Sequence, residues 1–571
     1  MIGFEWLRRQ RLVSKGLACQ KMRRQRDEAT WRECFDCNRT VKLSILAVFA
    51  CCLYALSYWG SLSLGLPYPS NESNLIIFVV FLVAMMMLEL EHGDVWTINS
   101  RLALLLGLVL VNILLVRGMC IALKTGGSQL GDLYFLMPTA LAPMCVSLLL
   151  GTRPALYAVF VSSILLSLIM GRDFSLMVIS MISGFTAVYF TKRVRKRHDL
   201  VKSGVAVGIA SMVTALAFGL IQGQDAGALA TAGVRAVLMG IATALVVSAI
   251  LPILETVFDI ITDMSWIELA DLNHPLLQRM TIEAPGTYHH SLVVANLVEA
   301  ASKSLGLNPT QARVLALFHD IGKTIKPSYF TENISSGQKS PHDNISPTMS
   351  ALIIIAHVKE GVDLALQYRL KKPIIDAIQQ HHGDSLVYYF YRRAKQQEDD
   401  AREGGKIMNM RPDDIPTVSQ QQFRYPGPRP QTPMVGLLCM ADAIEAASRS
   451  LDKPTPQKIE ALVEEIIQRK ISEGQLDECH LTLNQIRTAS ESFVFTVKSV
   501  LHQRISYPPK ETRSDDKSET RSDRDTRVGT QVGIPAPTGG AAAVGPTGTA
   551  LSVQPPKKTP SSTPSQTSAA A

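Results

Sequence analysis

From Pro508 to its C-terminus the chain contains no aromatic residue. A stretch with no ring to bury, rich in Pro, Ser, Thr, Gly and Ala, cannot assemble a core, so residues 508–571 read as a disordered tail. Cysteine offers no framework either. Nine are present, and Cys34 and Cys37 form one C-x-x-C with no second pair to complete a zinc site. Nothing in their spacing suggests disulfides. Alternating apolar–polar runs are scarce, which argues against a β fold, and there is no internal repeat. The first apolar run starts too late for a cleaved signal peptide, so none is expected. The apolar segments carry few central charges, which weighs against a transporter.

What the chain does have is an uneven distribution of apolar residues. They make up 47% of 571 residues and concentrate between Val41 and Phe258. Eight segments stand out: about Val41–Trp59, Leu75–Leu90, Leu102–Leu123, Leu133–Leu150, Pro154–Met170, Phe174–Phe190, Gly204–Ile221 and Val234–Phe258. Most approach the ~20 residues that a bilayer core requires, and in hydrocarbon such segments must be helices. Residues 1–40 form a basic N-terminus, and the net charge of +8 reads as a topology signal rather than a nucleic-acid footprint. Placing that N-terminus in the cytoplasm also puts Arg101, Arg153 and the run Lys192–Arg197 there. After eight crossings everything beyond Asp259 is cytoplasmic too.

Residues 264–507 change character and read as an all-helical globular domain. Asn308-Pro309, Ser346-Pro347 and Thr455-Pro456 each look like an N-cap with proline at the first helical position. Thr482 and Gln485 form a capping box. Gly322, Gly361, Gly383 and Gly474 look like helix stops, and Gln396–Gln422 like a flexible loop.

Within this domain a spaced series of candidate metal ligands appears: His290, His319, Asp320, His357, His381, His382 and Asp442. Five of the twelve histidines belong to it. One inward histidine is ordinarily a hydrogen-bonded core residue, and His381-His382 alone would suit a helix C-terminus. Seven such residues spread over five helical segments give a fold no structural advantage. Neutral imidazoles with a carboxylate able to bridge are what a two-metal hydrolytic centre needs, and they suit manganese, iron or cobalt better than magnesium. Lys323, one short turn after Asp320, is placed to meet a phosphate. His342 in its loop and Arg449, seven residues after Asp442, are further candidates for substrate contact.

The strings His319-Asp320-Ile321-Gly322-Lys323, Glu283–Ser291, His274–Leu277, Pro341–Asp343, His381–Gly383 and Phe423–Thr432 resemble the seven-transmembrane HD family. This is a membrane-bound, HDIG-type branch of the HD metal-dependent phosphohydrolases. The resemblance runs roughly from Leu75 to Tyr507. It implies a polytopic helical bundle followed by an all-helical HD domain in the bacterial cell membrane, with both termini cytoplasmic. It also implies one metal on His290, His319, Asp320 and Asp442 and another on Asp320, His357, His381 and His382, the two ions being manganese or iron. The implied activity is hydrolysis of cyclic di-AMP to pApA. The expected partners are a cyclic dinucleotide and the lipid bilayer, with no nucleic-acid polymer and a homodimer left open. Two departures stand out. The family's large extracellular domain is replaced by Gly60–Asn74, and the Gln396–Gln422 interruption is long. No GYP follows His381-His382, which lowers cyclic di-GMP as substrate. An HD enzyme for that or another nucleotide, and a non-catalytic nucleotide receptor, are the alternatives.

Overall fold

The computed structural model describes residues 34–502 apart from 60–63, 65–69, 126–135, 193, 336, 408–416 and 452–453. The tail at 508–571 and most of the basic N-terminus lie outside the described residues. Among the described residues the fold is helical, and the sole β pairing is a single bridge between Leu386 and Arg424.

The first half is built from α1 (Arg39–Tyr58), α2 (Asn71–Glu91), α3 (Asn99–Thr125), α4 (Leu141–Leu149), α5 (Thr152–Ile169), α6 (Phe174–Thr191), α7 (Arg197–Ile221) and α8 (Ala226–Phe258). Side chains of Asn38, Ser70, Asp173 and Asp225 accept first-turn N–H groups and set four of the starts. Seven of these helices are long and apolar enough to cross a membrane. Leu75, Phe78, Val79, Leu82 and Met86 of α2 are exposed, as a face turned to hydrocarbon would be. Helices α7 and α8 pack through small residues: a Cβ on Gly240 would sit 2.4 Å from the Gly204 carbonyl oxygen.

The fourth apolar segment differs from the other seven of the expected eight. Among its described residues only the nine of α4 are α-helical. Pro138 lacks an N–H and pushes its predecessor out of the helical region, so the helix starts late. The break is enclosed by protein, with Met137, Thr139 and Ala140 all buried. That is the condition under which irregular backbone is tolerated at membrane depth. Arg117, late in α3, donates to the Ile169 carbonyl at the end of α5 (2.6 Å).

Helix α8 is 33 residues long, more than a bilayer needs, and carries the chain out to the second half. Glu255, in its last turn, accepts the Thr262 N–H (3.1 Å) and the Ser265 hydroxyl (2.8 Å), which seats α9 (Asp263–Leu269). Asp263 in turn accepts from Asn308 (2.7 Å), the N-cap of α12. The domain continues with α10 (Pro275–Glu283), α11 (Pro285–Ser304), α12 (Pro309–Phe318), α13 (Pro347–Gln367), α14 (Lys372–Gln380), α15 (Tyr388–Ile407), α16 (Pro433–Ser448), α17 (Pro456–Ser472) and α18 (Leu483–His502). Its core gathers Leu297, Leu315, Phe318, Ile378, Leu438 and Phe493. Ser346 and Thr455 cap as their spacing suggests, and Thr482 and Gln485 close the capping box.

Two local readings are corrected. Residues 396–407 belong to α15 rather than to a loop. This helix is held by charge as well as by apolar periodicity: Glu398 accepts from Lys395, Arg402 and the Val418 N–H. Gly361 does not stop a helix but lies inside α13, where a Cβ would come 2.8 Å from Ile378 and 3.3 Å from the Gly322 nitrogen. It is small because the turn after Asp320 packs there.

Candidate metal centre

Two helix ends and three helix interiors converge on one buried place. His290 lies in the second turn of α11, and His319 and Asp320 follow the last residue of α12. His357 lies inside α13, His381 and His382 follow α14, and Asp442 sits within α16. The seven residues form two sets whose ligand atoms all lie within 4.8 Å of one another. One set is His290, His319, Asp320 and Asp442, and the other is Asp320, His357, His381 and His382.

Asp320 belongs to both sets through different oxygens. Its Oδ2 lies 3.2 Å from His319 Nε2 and 3.5 Å from His290 Nε2. Its Oδ1 lies 3.4 Å from His357 Nε2 and 3.6 Å from His381 Nε2. This is how a carboxylate bridging two cations is disposed.

The imidazoles are oriented by their other nitrogens. Nδ1–H of His319 donates to the Ala316 carbonyl (2.7 Å), that of His357 to Ile354 (2.5 Å) and that of His381 to Ile378 (2.8 Å). Each bond reaches back three residues, so the helix itself fixes the tautomer and leaves Nε2 with its lone pair toward the centre. His290 uses a carboxylate instead, placing Nδ1 2.5 Å from Glu445 Oε2. Glu445 was not legible as a site residue, although it lies one turn after Asp442 on the same helix.

The donor set fits divalent cations. Among the described residues, His319 Nε2 and Asp320 Oδ1 are buried and have no hydrogen-bond partner. Such orphaned atoms are costly unless something occupies the space between them. Burial keeps His357 neutral, with its pKa lowered to about 4, and burial also lowers that of His382 well below the ordinary range. Burial opposes the charge on Asp320, yet His319 and Lys323 outweigh it and hold the carboxyl ionised. Burial likewise opposes protonation of His319, but the Asp320 and Asp442 carboxylates raise its pKa to about 9. A divalent cation would supply that positive charge in place of the proton.

The remaining candidates lie around this core. Lys323 Nζ stands 2.8 Å from Asp320 Oδ2 and 3.0 Å from Glu332 Oε1. His342 is buried outside both sets, with Nε2–H donating to the Tyr329 carbonyl (2.8 Å) and its ring against Phe390. Arg449 is not among the ligands either. It donates to Glu445 (2.6 Å), on the outer side of His290. Tyr425, also unforeseen, stacks on His382 with ring centroids 4.3 Å apart.

Known proteins carry the same two parts. Residues 72–262 match the family described as 7TM receptor with intracellular HD hydrolase, and residues 287–447 match the HD domain. The cyclic-di-AMP phosphodiesterase PgpH of Bacillus subtilis is 34% identical over 391 residues, 66% of this chain and 52% of that protein. PgpH of Listeria monocytogenes is 34% identical over 384 residues, 66% of this chain and 51% of that protein. The chain thus spans about half the length of the curated relatives it matches. The crystal structure of the Listeria PgpH HD domain aligns at 38% identity with a TM-score of 0.36, covering 40% of this chain and all of that one. The family matches thus fall on the membrane bundle, as the 7TM receptor with intracellular HD hydrolase, and on the helices that carry the ligands, as the HD domain.

Proposed function

We propose that this multi-pass membrane protein is a phosphodiesterase that opens cyclic di-AMP to pApA at a centre of two divalent cations, manganese or iron. The observation that carries the reading is the Asp320 carboxylate, one oxygen in each of two histidine-rich sets. The relatives named cyclic-di-AMP phosphodiesterase support the choice of substrate.

His290, His319, Asp320 and Asp442 would hold one ion, and Asp320, His357, His381 and His382 the other. Bound there, two divalent cations supply Lewis-acid charge to the phosphoryl oxygens and acidify a water. The chain's own residues do the rest. The i−3 carbonyls and Glu445 hold the imidazoles in the ligating tautomer. Lys323 brings a fixed positive charge to the rim of the set, where negative charge builds on the phosphoryl group. His342 and Arg449 stand further out, as candidate contacts for the rest of the substrate.

The substrate test is direct. Full-length protein loaded with manganese or iron under reducing conditions should release pApA from cyclic di-AMP, one diester opening first. Cyclic di-GMP turning over far faster at equal concentration would overturn the substrate but keep the reaction class. No turnover of any cyclic dinucleotide with either metal would make a non-catalytic receptor the better reading.

The same reading requires the HD domain and both termini to be cytoplasmic. The basic stretches Arg8–Arg26 and Lys192–Arg197 support this orientation. The eight passages, α4 and its irregular lead-in counted as one, keep the parity even. A reporter fused after Gln222 should report an external location and one after Phe258 a cytoplasmic location. Reversal at either site would refute the topology.

A further inference from the structure

Lys323 carries a cation into a site that must also accept two more. Its side chain is 13% exposed, and its ammonium has two carboxylate neighbours, Asp320 Oδ2 at 2.8 Å and Glu332 Oε1 at 3.0 Å. It also lies 5.2 Å from the centre of the Phe330 ring. Asp320 is the residue that both metals need. Glu332 belongs to neither ligand set.

Glu332 is itself held rigidly. Its Oε1 also accepts the Thr287 hydroxyl (3.0 Å). Its neighbour Asn333 accepts the Thr287 N–H (3.1 Å) and donates to the Thr287 hydroxyl (2.9 Å). The Glu332 backbone lies directly on the start of α11, where a Cβ on Gly286 would come 1.8 Å from its carbonyl oxygen. The short turn Thr331–Asn333 is therefore clamped to the helix that presents His290 three residues after Thr287. A clamp this specific, on a carboxylate facing a buried lysine, has no need to exist for packing alone.

Charge explains the need. With metals bound, an ammonium left to pair with Asp320 alone would compete with them for one carboxylate and be repelled by both. A second, non-ligating carboxylate gives the ammonium a partner of its own. We propose that Glu332 is a positioning residue that anchors the Lys323 ammonium beside the metal pair, so that Asp320 is left to the metals and Lys323 to the anionic group of the substrate. The second half of this statement rests on the phosphodiesterase reading, and the first half does not.

The test is a double-mutant cycle in the full-length protein with Glu332→Gln, Lys323→Ala and both together. Glutamine keeps an oxygen for Thr287, removes the charge and makes the other arm an N–H donor. The first measurement is manganese occupancy against free manganese, read by mass spectrometry without any substrate. Glu332→Gln should raise the half-occupancy concentration about tenfold, as loss of a partner behind the ligands does at other metal sites. Adding Lys323→Ala should restore it, because the competing ammonium is gone. The second measurement is turnover of cyclic di-AMP. Each single variant should lower kcat by about tenfold or more with little change in KM, and the double variant should be no worse than Lys323→Ala. Wild-type manganese affinity in Glu332→Gln, a defect that Lys323→Ala does not relieve, or multiplying kcat losses would each overturn the role of Glu332. A wild-type protein that opens no cyclic dinucleotide would instead sink the phosphodiesterase reading, and the manganese arm would still decide the anchoring of Lys323.

Discussion

Asp320→Asn should cost the centre at least one metal and abolish hydrolysis. The asparagine side chain has the same shape, but one arm becomes an N–H donor and the negative charge disappears. Both losses matter because Asp320 serves both ligand sets, Oδ2 toward His290 and His319 and Oδ1 toward His357 and His381. Whichever arm carries the nitrogen, at least one set loses a ligand. Lys323 would also face a neutral amide at the 2.8 Å contact it now makes with Oδ2. Lewis-acid stabilisation is worth several kcal/mol, which corresponds to a fall in turnover of at least ~10³-fold. Metal content by plasma mass spectrometry and product release from cyclic di-AMP check this together. Full activity with two metals per chain would show that the centre is elsewhere.

A single methyl group at residue 322 should do comparable damage by a different route. A Cβ on Gly322 would lie 1.9 Å from the His357 carbonyl oxygen and 2.5 Å from the Gly361 nitrogen. Both are backbone atoms inside α13 and cannot rotate away. Gly322→Ala must therefore push the turn Ile321–Ile325 off α13, and with it Asp320 away from His357, now 3.4 Å apart. Overpacking of this kind costs about 1–3 kcal/mol or more. We expect a lower Tm and a fall from two bound metals to one, the set containing His357 being the one that opens. Gly93→Ala, where a Cβ meets nothing within 4 Å, is the control and should change neither. Two metals and an unchanged Tm in Gly322→Ala would show that the turn is not wedged against α13 as described.

Much of this arrangement was readable before any fold was known, for local reasons. Helix starts were legible where a cap and a proline sit side by side, as at Ser346-Pro347. The seven residues that the fold gathers into two sets were all singled out beforehand, because so many imidazoles and carboxylates give a fold no structural advantage. The closeness of Lys323 to Asp320 was legible from their spacing, but the second carboxylate it faces was not. The break before α4 was signalled by Pro138, but the summed hydropathy of the segment outweighed it. Gly361 misled because glycine marks helix ends by conformation and helix interiors by close packing, and composition does not separate the two.

The sequence by itself determined that the chain is helical, which long segments suit a bilayer, and which side chains have the donor chemistry for a metal. These follow from properties carried within one turn or one short segment: apolar run length, capping groups and donor chemistry. Only the tertiary structure decided how those side chains are shared and supported. It gave Asp320 to both sets, set Glu445 behind His290 from 155 residues away, stacked Tyr425 on His382 and clamped Glu332 over Lys323. Each of these is a contact between different helices or loops. Its existence depends on how closely two backbones approach, and at Gly322 and Gly286 that approach is set by the absence of a single carbon atom.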